Sequence, residues 1–242
     1  MYNFAFYFCT MAVNKEVYQR IKSELDSKGV TLVAVSKTKP VEDILELYNL
    51  GHRDFGENYV QELAEKAEAL PKDIRWHFIG HLQSNKVKYI APFVHLIHGV
   101  DSLKLLLEIN KQAAKKNRII RCLLQVYIAK EETKFGLDET ELENLWRSTL
   151  INQFSNIQIT GLMGMASFTD DKNLIRNEFK SLKSIFEKYS LPQTLNLKLQ
   201  TLSMGMSSDY QIAVEEGSNM VRIGSLLLGR GKNRKILPFF VN

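Results

Sequence analysis

The sequence predicts an α/β protein that forms one closed barrel of eight parallel strands, a (β/α)8 fold. Three observations support this prediction: strand and helix patterns alternate along the chain, eight strand patterns can be counted, and no linker or shift in composition separates them. The length of 242 residues also suits a single β/α barrel, which commonly has about 250 residues. An open, doubly wound sheet is the less favoured arrangement.

The regular pattern begins with a helix and a buried strand. Apolar residues recur at every fourth position from Val13 to Leu25, which predicts a helix over 13–28 that ends at Gly29. Residues 30–36 (VTLVAVS) form an apolar, β-branched run that is typical of a parallel strand buried on both faces. One extra helix therefore precedes the first strand of the barrel.

The same alternation continues along the rest of the chain. Further strands are predicted over 52–57, 75–79, 94–98, 119–127, 158–163, 199–203 and 220–223. Further helices are predicted over 41–50, 59–70, 86–90, 102–117, 139–148, 174–189 and 209–216. Residues 13–242 are thus expected to form a single domain.

Composition narrows the setting in which the protein works. The net charge of +5 favours anionic partners without naming one. The two cysteines have no CxxC spacing, which suits a reducing compartment. Residues 1–12 are apolar and aromatic, but they lack the basic start of a signal peptide and the length of a membrane span. We expect a cytoplasmic protein without a membrane anchor, in which residues 1–12 are an N-terminal extension.

Polar residues are concentrated where the predicted strands end. In a β/α barrel the loops that follow the strands build the site, so residues from distant parts of the chain are expected to meet there. The residues at these positions are Lys37, Glu57, Asn58, Gly80, Ser203, Gly224 and Ser225.

Lys37 is the candidate nucleophile of this group. It follows an apolar strand, so partial desolvation is expected to favour its neutral amine and the formation of a Schiff base. A lysine that ends a strand in solvent is the alternative, and on this evidence alone it is the commoner case. Lys39 is interpreted as such a surface charge.

The last two strands carry a candidate phosphate site. Gly224 and Ser225 open a short helix after the eighth strand, and small residues with free backbone N–H groups at such a place can hold an anion. Ser203 adds a hydroxyl on the neighbouring loop. Arg222 lies within the eighth strand, where a charged group needs a partner or a polar interior.

Two histidines of this region are four residues apart. His77 and His81 fall on a predicted strand end and a loop rather than on one helix face, and no cysteine or acidic residue completes a zinc set. The sequence therefore predicts no metal site. It also establishes no catalytic residue.

Several long motifs, in the same order, resemble one family. They are 33–40 (VAVSKTKP), 55–62 (FGENYVQE), 76–86 (WHFIGHLQSNK), 134–136 (KFG), 161–163 (GLM), 202–209 (LSMGMSSD) and 221–229 (VRIGSLLLG). The chain resembles the YggS/PROSC family of pyridoxal 5'-phosphate (PLP) homeostasis proteins over nearly all residues from Val30 onward. Departures are small, such as His81 after the Gly80 turn, apart from the N-terminal extension.

The resemblance implies a fold and a set of roles. The fold is a TIM-type barrel similar to the N-terminal domain of alanine racemase, and Lys37 carries PLP as an imine. The phosphate is held by Ser203, Gly224 and Ser225 with help from the region of Met204 and Ser207. Arg222 faces the pyridine nitrogen, and Asn58 lies near the ring.

An arginine opposite the pyridine nitrogen limits the chemistry of PLP. Arginine stays protonated and can only donate, so the nitrogen stays unprotonated and the cofactor is a weaker electron sink. Alanine racemase tolerates the same pairing, but it has a second domain that supplies an opposing catalytic residue, for which this chain has no room. The resemblance therefore implies a reversible carrier and buffer of PLP that influences amino-acid and keto-acid metabolism.

Two other functions stay open at this stage. The protein could be a PLP-dependent amino-acid racemase that uses Lys37 as its base. It could also be an RNA-binding module, because Arg230, Lys232, Arg234 and Lys235 form a basic tail, although no nucleic-acid motif accompanies them. As a carrier, its partners are expected to be PLP and apo forms of PLP-dependent enzymes, and a barrel with an open mouth can act as a monomer.

Overall fold

Eight parallel strands close into a barrel in the computed structural model, with each strand bonded to its neighbours in sequence and β8 bonded to β1. The structure describes residues 13–129, 135–190 and 197–229, and it describes the side chains of these residues except those of 152, 197 and 198. The predicted N-terminal extension, the first residue of the KFG motif and the basic tail lie outside the described residues. The predicted (β/α)8 fold is confirmed.

The elements follow one another as the sequence predicts. The strands are β1 Thr31–Val35, β2 Asp54–Glu57, β3 Arg75–Phe78, β4 Leu96–Val100, β5 Ile120–Gln125, β6 Ile157–Met163, β7 Leu197–Ser203 and β8 Met220–Ile223. The helices are α1 Lys15–Ser27, α2 Val41–Asn49, α3 Val60–Ala69, α4 Val87–Ile90, α5 Leu103–Ala114, α6 Glu139–Arg147, α7 Lys172–Tyr189, α8 Tyr210–Glu215 and α9 Ser225–Leu228. Two 3₁₀ turns, Ser84–Lys86 and Thr149–Gln153, complete the described elements.

Helix α1 is delimited by two local signals. Its first turn is capped by Asn14, whose side chain accepts a hydrogen bond from the backbone of Val17 at 3.1 Å, so the helix starts after the predicted Val13. At its end, Gly29 has a φ of +66° and donates to the carbonyl of Asp26, while Val30 donates to that of Leu25. This is a Schellman motif, which turns the chain directly into β1.

The fourth strand differs from its prediction. It was expected over 94–98, but it runs over Leu96–Val100, so His98 lies inside the strand. The strand extends to Val100, which pairs with Leu124 of β5, and Gly99 passes close to the loop after β3: a Cβ at this position would lie 2.6 Å from the carbonyl oxygen of Gly80. Sequence pattern alone does not reveal this contact.

The interior of the barrel combines a small apolar cluster with a column of polar side chains. Val33, Leu96, Leu123, Met163 and Met220 form a cluster separate from the main core, which lies between the barrel and its helices. His77, His98, Ser203 and Arg222 are also buried. Buried polar groups require partners, and these four side chains contact one another.

No helix among the described residues combines the length and the apolar character that crossing a membrane requires.

Candidate functional site

The loop after β1 presents Lys37 at the open end of the barrel. Ser36 is fully buried, whereas Lys37 is exposed. Thr38 then adopts a left-handed conformation with a φ of +62°, and its backbone N–H donates to Glu62 Oε1 at 2.6 Å. Lys37 is therefore more exposed than the partial desolvation expected from the sequence.

A buried ionic cluster holds this turn in place. Lys66 on α3 donates to Glu57 Oε1, to Glu62 Oε1 and to the backbone carbonyl of Ser36, each at 2.7 Å. The Ser36 hydroxyl donates to Glu57 Oε1 at 2.6 Å. Burial raises the pKa of Glu57, and the ammonium of Lys66 opposes that rise. The backbone on either side of Lys37 is thus fixed by three charged side chains.

The loop after β8 lies beside the Lys37 loop. A Cβ on Gly224 would lie 3.1 Å from the carbonyl oxygen of Val35, so the backbones of these two segments pass close to each other. Lys39 donates to the backbone carbonyl of Leu228. Lys39 thus connects the two loops, and its interpretation as a simple surface charge is wrong.

Two of the residues predicted at the phosphate also meet in this region. The backbone N–H of Gly224 donates to the Ser207 hydroxyl at 3.3 Å. Ser225, the first residue of α9, is exposed next to them. The first N–H groups of a helix have no partner within the helix, so they are available to an acceptor. This arrangement brings a hydroxyl and backbone donors to one place.

Arg222 is buried inside the barrel. Its guanidinium donates to the Ser203 carbonyl at 2.9 Å, to the Ser203 hydroxyl at 2.7 Å and to the Gly164 carbonyl at 3.1 Å. Burial lowers its pKa to about 10, so the group stays charged at neutral pH. A guanidinium has five N–H donors, and two of them have no acceptor among the residues that the structure describes.

A chain of hydrogen bonds leads from Arg222 through the barrel. Ser203 Oγ lies 3.2 Å from His98 Nδ1, His98 Nε2 lies 3.0 Å from His77 Nδ1, and His77 Nε2 lies 3.0 Å from Asp54 Oδ1. Asp54 also accepts from Arg75. We call this chain, from Arg222 to Asp54, the interior relay.

The two ends of the interior relay fix the direction of every hydrogen bond in it. Arg222 can only donate, and the Asp54 carboxylate can only accept. Burial lowers the pKa of both His77 and His98, so both are neutral and each carries one N–H. His77 therefore donates to Asp54, His98 donates to His77, and the Ser203 hydroxyl donates to His98. Each side chain is held in one tautomer or rotamer.

Ser203 and Met204, which were predicted near the phosphate, are engaged in other contacts in this structure. The Ser203 hydroxyl is fully buried and engaged within the interior relay. The Met204 side chain packs in the main core, and its backbone N–H donates to the carbonyl of Met220 at 3.2 Å. Neither residue has a group directed toward Ser207 or Gly224 in these contacts. Both were assigned from a motif, which gives the order of residues but not the direction of their side chains.

Asn58 lies at the end of β2, as predicted. Its Oδ1 is buried and has no hydrogen-bond partner among the described residues, and the same is true of Glu57 Oε2. Gly80 is packed against its backbone, since a Cβ there would lie 2.3 Å from the Asn58 carbonyl oxygen. An unpaired buried amide oxygen at the end of β2 is a feature that a bound group would satisfy.

Sequence reasoning missed the residues that support the site. Glu62 and Lys66 are four apart, a spacing that predicts an ion pair on one helix face, although not its burial under the Lys37 turn. His77 was placed at a strand end, but it lies within β3, and His98 was not considered. The alternation of side chains along both strands was the available signal for an inward direction.

Comparisons with known proteins agree with this geometry. The family described as alanine racemase, N-terminal domain, matches residues 14–231. The pyridoxal phosphate homeostasis protein of Aquifex aeolicus is 40% identical over 222 residues, which cover 89% of this chain and 96% of that protein. The structure of PipY from Synechococcus elongatus with PLP bound has a TM-score of 0.80 and 35% identity, and the match covers 90% of this chain and 100% of PipY.

Alanine racemases share the fold at greater distance. The enzyme from Bartonella henselae, with covalently bound PLP, has a TM-score of 0.64 and 18% identity, and the match covers 91% of this chain and 61% of the racemase. At this identity only the fold is shared. The chain belongs to the pyridoxal phosphate homeostasis proteins, within the alanine racemase N-terminal domain family.

Proposed function

We propose that this protein binds PLP reversibly through Lys37 and serves as a carrier and buffer of PLP in the cell. The observation that carries the proposal is the buried Arg222 guanidinium near the end of β8. Two of its N–H groups have no acceptor among the described residues. The relatives named as PLP homeostasis proteins and the PLP-bound PipY support it.

Arg222 is the group for the pyridine nitrogen. Its two remaining N–H groups suit a neutral acceptor, because carbonyl oxygens accept from the guanidinium and the Asp209 carboxylate already favours its charge. A nitrogen that accepts from Arg222 stays unprotonated. The residues present therefore fit PLP, and Asn58 Oδ1 offers a further contact beside the ring.

The phosphate group is assigned to the loop after β8. Ser207 supplies a hydroxyl, which the backbone N–H of Gly224 orients, and Ser225 supplies a backbone N–H group at the start of α9. In β/α barrels, phosphate groups are frequently held after the seventh and eighth strands. Ser203 and Met204 are proposed to act behind this site, by holding Arg222 and the core.

Lys37 supplies the amine. When bound, PLP provides an aldehyde that a free amine captures and a ring that can withdraw electrons. Lys37 is exposed, whereas Lys66 is engaged in three hydrogen bonds within the buried cluster. Lys37 is therefore free to bond to the aldehyde and to release it, as a carrier requires.

Delivery to apo forms of PLP-dependent enzymes completes the proposal. We further propose that the carrier acts as a monomer in the cytoplasm. The free thiol of Cys122 supports this location, since reducing compartments keep cysteines unpaired. A racemase function has no support beyond the shared fold.

The test compares binding, transfer and turnover. The wild type and Lys37→Ala are titrated with PLP while the visible absorption of the imine is followed, and the loaded protein is then mixed with an apo-enzyme. We expect a band in the wild type alone, recovery of the apo-enzyme's activity, and no conversion of L-alanine or L-serine to the D form. Steady racemisation that Lys37→Ala abolishes would overturn the carrier proposal.

A further inference from the structure

A polar cavity lies at the end of the barrel opposite Lys37. It has a volume of about 490 Å³ and is lined by residues at the starts of the strands, among them Asp54, Arg75, His77, His95 and Arg121. Lys37 follows the end of β1, whereas Thr31, which begins β1, lies at this cavity. The volume is within the range of small-molecule sites, about 300–1,000 Å³.

The cavity holds more positive charge than negative. Arg75 donates to both oxygens of Asp54, with Nε to Oδ1 at 2.7 Å, so these two charges offset each other. Arg121 donates to His95 Nε2 at 3.1 Å and has no carboxylate partner among the described residues. Its guanidinium is the charge that remains.

The positive charge of the arginines around His95 favours an anion over a cation in this cavity. The pKa of His95 is lowered to about 4. Burial is the largest cause, and His77, Arg121 and Arg75 act in the same direction, while the Asp54 carboxylate opposes them. Because His95 Nε2 accepts the hydrogen bond from Arg121, the single N–H of the neutral His95 ring lies on Nδ1. The amide of Gln158 adds a neutral donor to the lining, whereas the Thr160 hydroxyl already donates to the carbonyl of Cys122 at 3.4 Å.

Arg121 has no carboxylate partner among the described residues, and an oxyanion bound in the cavity supplies the missing counter-charge. Arginine also offers paired N–H groups that match carboxylate and phosphate oxygens. We propose that this cavity is a binding site for a small oxyanion, a carboxylate or a phosphate, held by Arg121 and His95.

The site is independent of PLP, but it is connected to the proposed cofactor site. Asp54 and His77 line the cavity and are also the last members of the interior relay, which begins at Arg222. An anion beside His95 therefore lies one contact from the relay, since the rings of His77 and His95 are 5.4 Å apart.

The test follows the histidine side chains of the PLP-free protein by NMR. The chain has five histidines, and His52 and His81 lie outside the cavity lining and serve as internal references. Inorganic phosphate and succinate are titrated separately at constant ionic strength into the wild type and Arg121→Gln. Arg147→Gln is the matched control, because it removes one positive charge from an exposed ion pair with Glu143.

We expect a saturable shift of the His95 signal, a raised pKa of His95 when the anion is bound, and binding at least about tenfold weaker in Arg121→Gln, equivalent to about 1.4 kcal/mol. Arg147→Gln should bind as the wild type does. The tighter of the two probes identifies phosphate or carboxylate as the preferred chemistry. A shift that never saturates, or one that is unchanged in Arg121→Gln, overturns the proposal. Lys37→Ala should bind the anion normally, so failure of the PLP proposal is distinguished from failure of this one.

Discussion

Replacing Ser203 with alanine separates two roles for this residue, support of Arg222 and direct contact with phosphate. The hydroxyl accepts from Arg222 at 2.7 Å and donates to His98 Nδ1, 3.2 Å away, while fully buried. Alanine is smaller by one oxygen and removes both bonds. It leaves the backbone carbonyl of Ser203 in contact with Arg222.

The cost of Ser203→Ala follows from what remains unpaired. His98 Nδ1 becomes a buried acceptor without a donor, which costs about 1–3 kcal/mol, and Arg222 loses one of its three hydrogen bonds. We therefore expect the free energy of unfolding to fall by about 2–4 kcal/mol. The same loss should loosen Arg222 and weaken PLP binding.

The assay pairs unfolding in urea with titrations of PLP and of pyridoxal, which lacks the phosphate. Ser203→Ala should weaken both ligands by the same factor, because the pyridine ring is common to both. Ser207→Ala is the matched control: it should weaken PLP alone and change stability by less than about 1 kcal/mol, since its hydroxyl is half-buried. Loss of PLP affinity in Ser203→Ala with pyridoxal binding intact would refute the interior relay as the role of Ser203.

Two further predictions concern stability. Lys66→Met leaves Glu57 buried without its counter-ion and should lower the free energy of unfolding by about 3–5 kcal/mol. Lys22→Met, which removes an exposed pair with Asp26, should lower it by less than about 1 kcal/mol. Equal losses in the two variants would contradict the buried cluster. Burial lowers the pKa of His52 to about 4, so on acidification the unfolded chain takes up a proton at this residue before the folded chain does. His52 alone should lower the free energy of unfolding by about 3 kcal/mol as pH drops from 7 to 4. His52→Gln should remove that part of the fall in denaturation curves, and an unchanged pH dependence would show that His52 does not titrate in this way.

The order of elements could be predicted because each carries a local signal. The Schellman turn at Gly29 follows from a glycine after an apolar stripe, and β1 from an uninterrupted β-branched run. The bounds of β4 could not be predicted, because its end at Val100 depends on pairing with Leu124 of β5, a contact between two strands.

Site residues that follow a strand end could be predicted from the sequence. Residues that contact partners across the interior of the barrel were harder to predict. Lys37, Asn58 and Gly224 lie where the alternation of strands and helices places them. The direction of the Ser203 hydroxyl depends on His98, 105 residues away in sequence, and no local pattern encodes it. The exposure of Lys37 likewise depends on the turn that Glu62 and Lys66 hold.

We propose that PLP bonds to Lys37 alone. Borohydride reduction of the protein mixed with PLP, followed by peptide mass analysis, tests this. We expect a pyridoxyl group on Lys37 and none on Lys66, whose amine is engaged by Glu57, Glu62 and Ser36. A folded protein that carries no group on Lys37 after reduction would contradict the proposed chemistry.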